Sequence, residues 1–274
     1  LRNSKERVEK VAPFLAFDAD PYPVELDGGV TWVIDGYTTS GRYPYAQNAD
    51  RNQLSANSGI DFDFNYIRNS VKATVDAYDG SIHFYIVDES DPIIRAWASA
   101  FPDLFQSFSE MPAGLEDHLR YPEELFRVQT SAYSKYRLPP EVFFDRTGAW
   151  SVAQGPSNIP RQTAMTNPTV NTDDASVSSE LFAADSSSAR FVPYYSMFRA
   201  PGEEEATFQL LRPFVPFSTD DNRKELQAFM LASSEPSTYG QLSALVVSPT
   251  NVDGPLTVAA TIERGSLLGT IVVR

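Results

Sequence analysis

Cysteine is absent from the chain and histidine is scarce, with only His83 and His118 among 274 residues. The absence of cysteine excludes disulfides, thiolate-bound zinc, iron–sulfur clusters and thiol catalysis. Two histidines are too few for a multi-histidine metal site within one copy of the chain. We therefore expect no metal centre and no cofactor.

Long apolar runs are also missing. A membrane-spanning helix needs roughly 20 apolar residues, and runs such as Leu245–Val247 are far shorter than that. The first residues, Leu1–Lys5, lack the apolar core of a signal peptide. We therefore expect no bilayer-spanning segment here, and we expect any export signal or membrane anchor to lie outside this sequence.

Positive charge is scarce and dispersed. The chain has 22 Lys and Arg residues against 36 Asp and Glu residues, which gives a formal net charge of -14. A phosphate backbone is repelled by such a surface unless the basic residues gather on one face, and no basic cluster is visible. We expect no nucleic-acid partner, and the dispersed acidity indicates a solvated surface.

Glycine is less frequent than proline, at 14 residues against 20. This ratio favours many short elements joined by rigid turns over long helices or a doubly wound sheet. With 42% hydrophobic and 12% aromatic residues, the chain has ample material for a core. We predict a mixed α+β fold with mainly antiparallel strands and a few short helices in the middle of the chain.

The clearest local pattern is a β-hairpin over residues 71–87. Two alternating runs flank Asp79-Gly80, a dipeptide suited to a type I′ turn. Counting outward from that turn places Val75 opposite Phe84 on an apolar face. The other face, which carries Lys72, is predicted to be polar or half-covered.

Two helices are predicted after the hairpin, at residues 92–101 and 122–137. Asp91 is an N-cap candidate, and Pro92 follows it at the first helical position. The second helix begins at Pro122, with acidic residues in its first turn and basic residues in its last, as the helix dipole favours.

The chain divides into three predicted parts. Residues 1–154 form an α+β part that contains the hairpin and both helices. Residues 155–188 are rich in Ser, Thr, Asn, Asp and Pro and are predicted to be a long polar connection. Residues 189–274 form a strand-rich part, which is either separate or continuous with the first, with strands near residues 206–211, 226–232, 242–247 and 256–262.

One aromatic segment is a candidate binding site. A strand at Val30–Ile34 is followed by a predicted loop at Gly36–Tyr45, whose side chains could stack on sugars or clamp an extended partner. The competing interpretation, that the tyrosines pin the loop onto the strand, is favoured. The candidate binding residues are Tyr37, Arg42, Tyr43 and Tyr45.

Common catalytic motifs are absent. No G-x-S-x-G, Walker A or G-x-G-x-x-G pattern occurs, which argues against common hydrolase, P-loop and dinucleotide-binding classes. Asp76 and His83 face each other in the predicted hairpin, and we interpret them as a surface contact. Carboxylates are numerous, so a glycosidase-like pair about 5 to 9.5 Å apart stays open. No catalytic residue is assigned.

The stretch from Asp18 to Phe101 carries a resemblance to a known family, in the segments AFDADPYPV, WVIDGYTTSGRYPY and NYIRNSVKATVDAYDGSIHFYIVDESDPIIRAWASAFP. It resembles uncharacterised protein family 0182, large integral membrane proteins of actinobacteria, cyanobacteria and other organisms. The similarity continues through HLRYPEELFRVQ and, more loosely, through PYYSMFRAPGEEEATFQLLRPFVP and AFMLASSEPSTYGQL. It covers most of the chain.

The resemblance implies a cellular setting. In that family a multi-helix membrane region precedes a long extracytoplasmic region, and this chain is similar to part of the latter. It implies a place at the cell membrane on the extracytoplasmic side, with the rest of its own membrane protein, an envelope component or another protein as partner. Since the family has no agreed activity, a non-enzymatic assembly or recognition role is favoured. The alternative is an envelope hydrolase that uses paired carboxylates on glycan or ester bonds.

Overall fold

Two mostly antiparallel sheets and several short helices make up the fold, so the predicted α+β class is confirmed. A computed structural model describes residues 3–55, 58–155, 190–219, 224–248 and 251–268. The chain forms two compact units. Unit 1 comprises Leu1–Val128 and Ser234–Gly240, and unit 2 comprises Gln129–Ser233 and Gln241–Arg274.

Unit 1 contains the larger sheet. Its strand order is β1-β3-β4-β5-β6, with β2 also paired to β3. Every pairing is antiparallel except that of β5 with β6. The strands are β1 (Ala16–Phe17), β2 (Tyr22–Leu26), β3 (Gly29–Ser40), β4 (Tyr66–Asp76), β5 (Ile82–Ile86) and β6 (Phe105–Ser107).

Strand β3 extends well past its predicted end at Ile34, so the prediction of a loop from Gly36 is wrong for Gly36–Ser40. A β-bulge between Gly36 and Tyr37 lets the strand continue alongside β4. Glycine suits this position because a Cβ would lie 3.2 Å from the Cβ of Val71. The close approach of strands that are distant in sequence therefore decides where β3 ends.

The hairpin is confirmed, but its predicted register is wrong by two residues, since Val75 pairs with Ile82. The connection is longer than a two-residue turn because the Asp76 carboxylate accepts hydrogen bonds from the backbone N–H groups of Tyr78 at 2.7 Å and Asp79 at 2.9 Å. A shift of two residues keeps each side chain on its predicted face. The apolar face is therefore as predicted.

The helices are α1 (Ser4–Val11), α2 (Pro92–Ala100), α3 (Glu123–Tyr136), α4 (Pro140–Phe143) and α5 (Pro255–Leu268). Helices α2 and α3 confirm the two predicted helices. The Asp91 carboxylate caps α2 by accepting a hydrogen bond of 3.0 Å from the Ile93 N–H. Local capping signals thus placed α2 correctly.

The main core of unit 1 lies on the apolar face of the hairpin. Ile34, Val71, Ala73 and Phe84 are buried there and pack with Val8 of α1. On its margin Phe14 stacks on Trp97, with ring centroids 4.2 Å apart. This packing anchors α1 and α2 to one side of the sheet.

Unit 2 is built on a second sheet of order β11-β10-β9-β7, with β8 also paired to β9. The Arg212 guanidinium of β9 is fully buried and donates hydrogen bonds to Thr130 Oγ1 at 2.8 Å and to the Phe191 carbonyl at 3.0 Å. The strands are β7 (Trp150–Val152), β8 (Tyr194–Phe198), β9 (Thr207–Pro216), β10 (Ala228–Ser233) and β11 (Leu242–Val246).

The predicted strand at residues 256–262 is wrong, because this segment lies in helix α5. Pro255 stands at the first helical position, where its missing N–H is tolerated. The Val258 N–H donates to the Gly254 carbonyl at 3.0 Å. The periodicity of a short apolar run does not by itself distinguish a strand from a helix, and the β-branched residues here favoured the strand.

The predicted polar connection at 155–188 lies, apart from Gly155, outside the described residues. The two units divide the chain at other positions, within α3 after Val128 and again around Ser234–Gly240. Among the described residues, no helix combines the length and apolar character needed to cross a membrane.

Candidate functional site

The four predicted binding residues do not share one surface. Tyr37 is fully buried and its hydroxyl donates to the Asp18 carboxylate. Arg42, Tyr43 and Tyr45 are exposed, with Tyr43 at 55% and Tyr45 completely accessible. Tyr37 belongs to β3, which turns its side chain inward, whereas the other three follow the end of that strand.

An aromatic surface surrounds Tyr43. Its ring stacks on that of Tyr66, with centroids 5.7 Å apart. The Asn65 side chain holds the Tyr43 backbone through two hydrogen bonds of 2.9 Å, one to the N–H and one to the carbonyl. We define the aromatic surface as Arg42, Tyr43, Tyr45, Tyr66 and Arg68.

The Asp91 carboxylate fixes this surface from beneath. It is buried and accepts hydrogen bonds from the hydroxyls of Tyr66 at 2.7 Å, of Ser70 at 2.6 Å and of Thr38. Burial acts to raise the pKa of Asp91, but these hydrogen bonds outweigh burial and the pKa is lowered. Burial and the bond to Asp91 raise the pKa of Tyr66 to about 12. The charged Asp91 carboxylate therefore holds the neutral Tyr66 phenol in place.

A second group of polar side chains lies buried in unit 1. Lys72 on β4 forms an ion pair with Asp35, its direct cross-strand neighbour on β3. The Lys72 ammonium also donates to the Tyr239 hydroxyl at 2.8 Å and to the Arg120 carbonyl at 3.1 Å. The face of the hairpin predicted to be polar or half-covered is thus buried at Lys72, where the segment around Tyr239 covers it.

Asp18 and Glu124 extend this buried group. Asp18 accepts hydrogen bonds from Tyr37, from the Asp20 N–H at 3.1 Å and from the Glu124 N–H at 3.2 Å. The Glu124 carboxylate accepts two hydrogen bonds, of 3.1 and 3.0 Å, from the Ser55 N–H. We define the buried charge cluster as Asp18, Asp35, Tyr37, Lys72, Glu124 and Tyr239.

Burial raises the pKa of several acids in and beside this cluster. It raises the pKa of Asp35 to about 6 even though Lys72 acts in the opposite direction. Burial and the neighbouring Asp18 raise the pKa of Glu124, and burial raises the pKa of Glu123 to about 7. Carboxyls tuned in this way can exchange protons near neutral pH. However, Asp18, Asp35 and Glu124 are only 3%, 4% and 1% exposed, so a substrate would meet little of them.

Sequence reasoning missed this cluster. The sequence does contain a sign of the buried charge cluster, because Asp35 interrupts the buried part of β3 and Lys72 interrupts the apolar alternation of β4. Opposite charges in two neighbouring strands are cross-strand partners when the register brings them together. The register needed here follows from the β3–β4 pairing, which joins residues 37 positions apart.

The remaining candidates stay separate from both groups. His83 pairs with Thr74 across the hairpin, so the predicted contact with Asp76 is wrong. His118 is exposed at the end of a short 3-10 helix. Within the part of the chain that the structure describes, no three His, Asp or Glu side chains are grouped as metal ligands would be.

The fold and these two groups define an α+β chain whose larger sheet carries an aromatic surface and a buried charge cluster. The chain belongs to the uncharacterised protein family UPF0182, whose family model matches residues 1–267. No solved structure matches it.

Curated relatives of this family are similar along almost the whole chain. A UPF0182 protein of Methanospirillum hungatei is 39% identical over 265 residues, covering 96% of this chain and 26% of the relative. Relatives from Saccharopolyspora erythraea and Desulforamulus reducens are 37% and 38% identical, covering 93% and 97% of this chain and 24% and 25% of their own length. The chain thus spans about a quarter of the length of these relatives.

Proposed function

We propose that this chain is an extracytoplasmic, non-enzymatic domain of a cell-membrane protein and that it serves in assembly or recognition at the cell envelope. Its partner is the rest of its own membrane protein, an envelope component or another protein. The observation that carries the proposal is the aromatic surface, in which exposed Tyr43 stacks on Tyr66 and buried Asp91 holds Tyr66.

The aromatic surface has the properties of a recognition site. Tyrosine offers a large amphipathic ring at a low cost in conformational entropy, and it is enriched among residues that dominate binding energy. Here the stacking of Tyr43 on Tyr66 and the hydrogen bonds of Asn65 to the Tyr43 backbone already restrict these two rings. Less entropy is therefore lost when a partner covers them.

Site-specific photo-crosslinking tests the recognition role. A benzoylphenylalanine placed at Tyr45 in the intact membrane protein should form a defined adduct in cells. The same group at Phe144, a largely exposed aromatic residue outside the aromatic surface, is the control and should form none. Tyr43→Ala should weaken the Tyr45 adduct, and an adduct that Tyr43→Ala leaves unchanged would contradict the proposal.

The extracytoplasmic location is tested by cysteine labelling. Because this chain has no cysteine, an introduced cysteine is the only thiol in it. A Tyr78→Cys variant of the intact protein, freed of any other cysteine, is treated with a membrane-impermeant maleimide in whole cells. Labelling in whole cells supports the extracytoplasmic location. Labelling that requires permeabilised cells contradicts it.

A second candidate function, an envelope hydrolase acting on glycan or ester bonds, is favoured by one observation. Asp18, Asp35 and Glu124 come from distant parts of the chain and meet in the buried charge cluster, where burial raises the pKa of Asp35 and Glu124. If the chain has such an activity, Asp35→Asn with Glu124→Gln should abolish it. Unchanged activity in that double variant eliminates this candidate.

A further inference from the structure

The opposite end of the β3–β4 ladder from the aromatic surface carries a groove. Tyr66 pairs with Ser40 at one end of the ladder, and Asp76 pairs with Thr31 at the other. The groove at this second end has a volume of about 520 Å³, within the range of roughly 300 to 1,000 Å³ found for small-molecule sites. Its lining includes Asn3, Arg7, Trp32 and Asp76.

The polar side chains of the groove are held in place by hydrogen bonds, and each still has a donor or acceptor atom without a partner among the described residues. Arg7 donates through Nη2 to the Gly80 carbonyl at 2.6 Å, and it forms no ion pair with any residue that the structure describes. Asp76 uses Oδ1 for the backbone of the hairpin connection, and Asn3 uses Oδ1 for the Lys5 N–H at 2.8 Å. Arg7 Nη1, Asp76 Oδ2 and Asn3 Nδ2 have no partner among the described residues.

Gly80 is essential to this arrangement. It has a φ of +73°, and a Cβ there would overlap the Arg7 guanidinium. Because glycine adopts this conformation readily and leaves the space empty, Arg7 can lie against the hairpin connection. The groove is therefore built jointly by α1 and the β4–β5 hairpin.

We propose that this groove is a binding site for an uncharged saccharide. A half-buried indole, that of Trp32, supplies an apolar platform for the C–H face of a sugar ring. The guanidinium and amide donate to hydroxyl oxygens, and the free carboxylate oxygen accepts from a hydroxyl. The opposite charges of Arg7 and Asp76 cancel locally, and the chain carries a net charge of -14, so an anionic ligand is disfavoured.

Titration of the 274-residue chain with cellotetraose and with tetra-N-acetylchitotetraose, followed by amide NMR shifts, tests the site. We expect saturable shifts at the groove for at least one of the two. Asp76→Asn keeps the Oδ1 acceptor of the hairpin connection but removes the charged acceptor, and Arg7→Met removes the guanidinium donors. Each should weaken binding about tenfold or more, whereas Lys10→Gln, an exposed position on the same helix, should not.

Four results would overturn the site. Three are no shifts with either tetrasaccharide, affinities that neither groove variant changes, and binding of anionic tetragalacturonate without binding of the neutral sugars, and the fourth concerns Tyr43→Ala. Hairpin resonances that match those of the unaltered chain verify that each variant is folded. Tyr43→Ala should bind the saccharide normally, so this test stands apart from that of the aromatic surface. A loss of binding in Tyr43→Ala would place the sugar there instead.

Discussion

Lys72 shows how one buried side chain organises its surroundings. It is fully buried, and its ammonium meets the Asp35 carboxylate, the Tyr239 hydroxyl and the Arg120 carbonyl. An ammonium removed from water is tolerated only where its charge and its three donors are all matched. Lys72 therefore links two neighbouring strands to two segments that are distant in the sequence.

Lys72→Met keeps an unbranched side chain that is one atom shorter but leaves the Asp35 carboxylate buried without its counter-ion. Breaking a buried pair from one side costs about 3–5 kcal/mol, and we expect a loss of that size in urea unfolding. Lys10→Met, at an exposed lysine, should change stability by less than about 0.5 kcal/mol. Adding Asp35→Asn to Lys72→Met should recover part of the loss. A loss below about 1 kcal/mol in Lys72→Met would contradict this account.

At the scale of elements, helix α2 begins where local chemistry predicts. Asp91 caps the helix and Pro92 opens it. The same carboxylate also accepts from Thr38, Ser70 and Tyr66, which lie on β3 and β4. One residue therefore starts a helix and joins it to two strands.

Asp91→Ala should cost about 2–4 kcal/mol, because the helix cap and the acceptor of three hydroxyls are lost together. Asp91→Asn retains an oxygen for the Ile93 N–H and should cost roughly half as much. Urea unfolding measures both losses, and Asp103→Ala, at an exposed position just after α2, is the control. Equal losses in Asp91→Ala and Asp91→Asn would show that the cap contributes little.

At the scale of the whole molecule, acidic groups dominate the electrostatics. The net charge is -14, and burial raises the pKa of Asp35 to about 6 and of Glu123 to about 7. The folded chain holds protons on these acids at pH values where the unfolded chain has released them. By linkage, their contribution to stability falls as pH rises from their ordinary values to their raised ones.

We therefore expect the free energy of unfolding to fall as pH rises from about 5 to about 7, with a slope on the order of 1 kcal/mol per pH unit for one such group. Growing repulsion among the ionised carboxylates acts in the same direction. Urea midpoints across this range measure the slope, and Glu123→Gln should flatten it between about pH 5 and pH 7. A free energy that rises with pH over the range would refute this prediction.

Particular residues show how far prediction from the sequence reached. The prediction of the hairpin's apolar face was correct, because a register shift of two residues leaves Val75 on the same side of the sheet. The end of β3 was wrong because the bulge at Gly36 depends on its approach to Val71. The strand predicted in the region of helix α5 was wrong because its β-branched residues favour a strand locally, whereas the folded chain is helical there. Among the candidate binding residues, the sequence could not show that Tyr37 turns inward while Tyr43 and Tyr45 stay exposed.

The sequence by itself determined the family, the α+β class, the start of α2 and the alternating faces of the hairpin. Capping and period-two alternation act between near neighbours along the chain, so they can be read without the fold. Tertiary structure alone decided that Lys72 is buried with Asp35 and that Arg7 meets Gly80. Those contacts join residues 37 and 73 positions apart, and only strand register and packing bring such residues together.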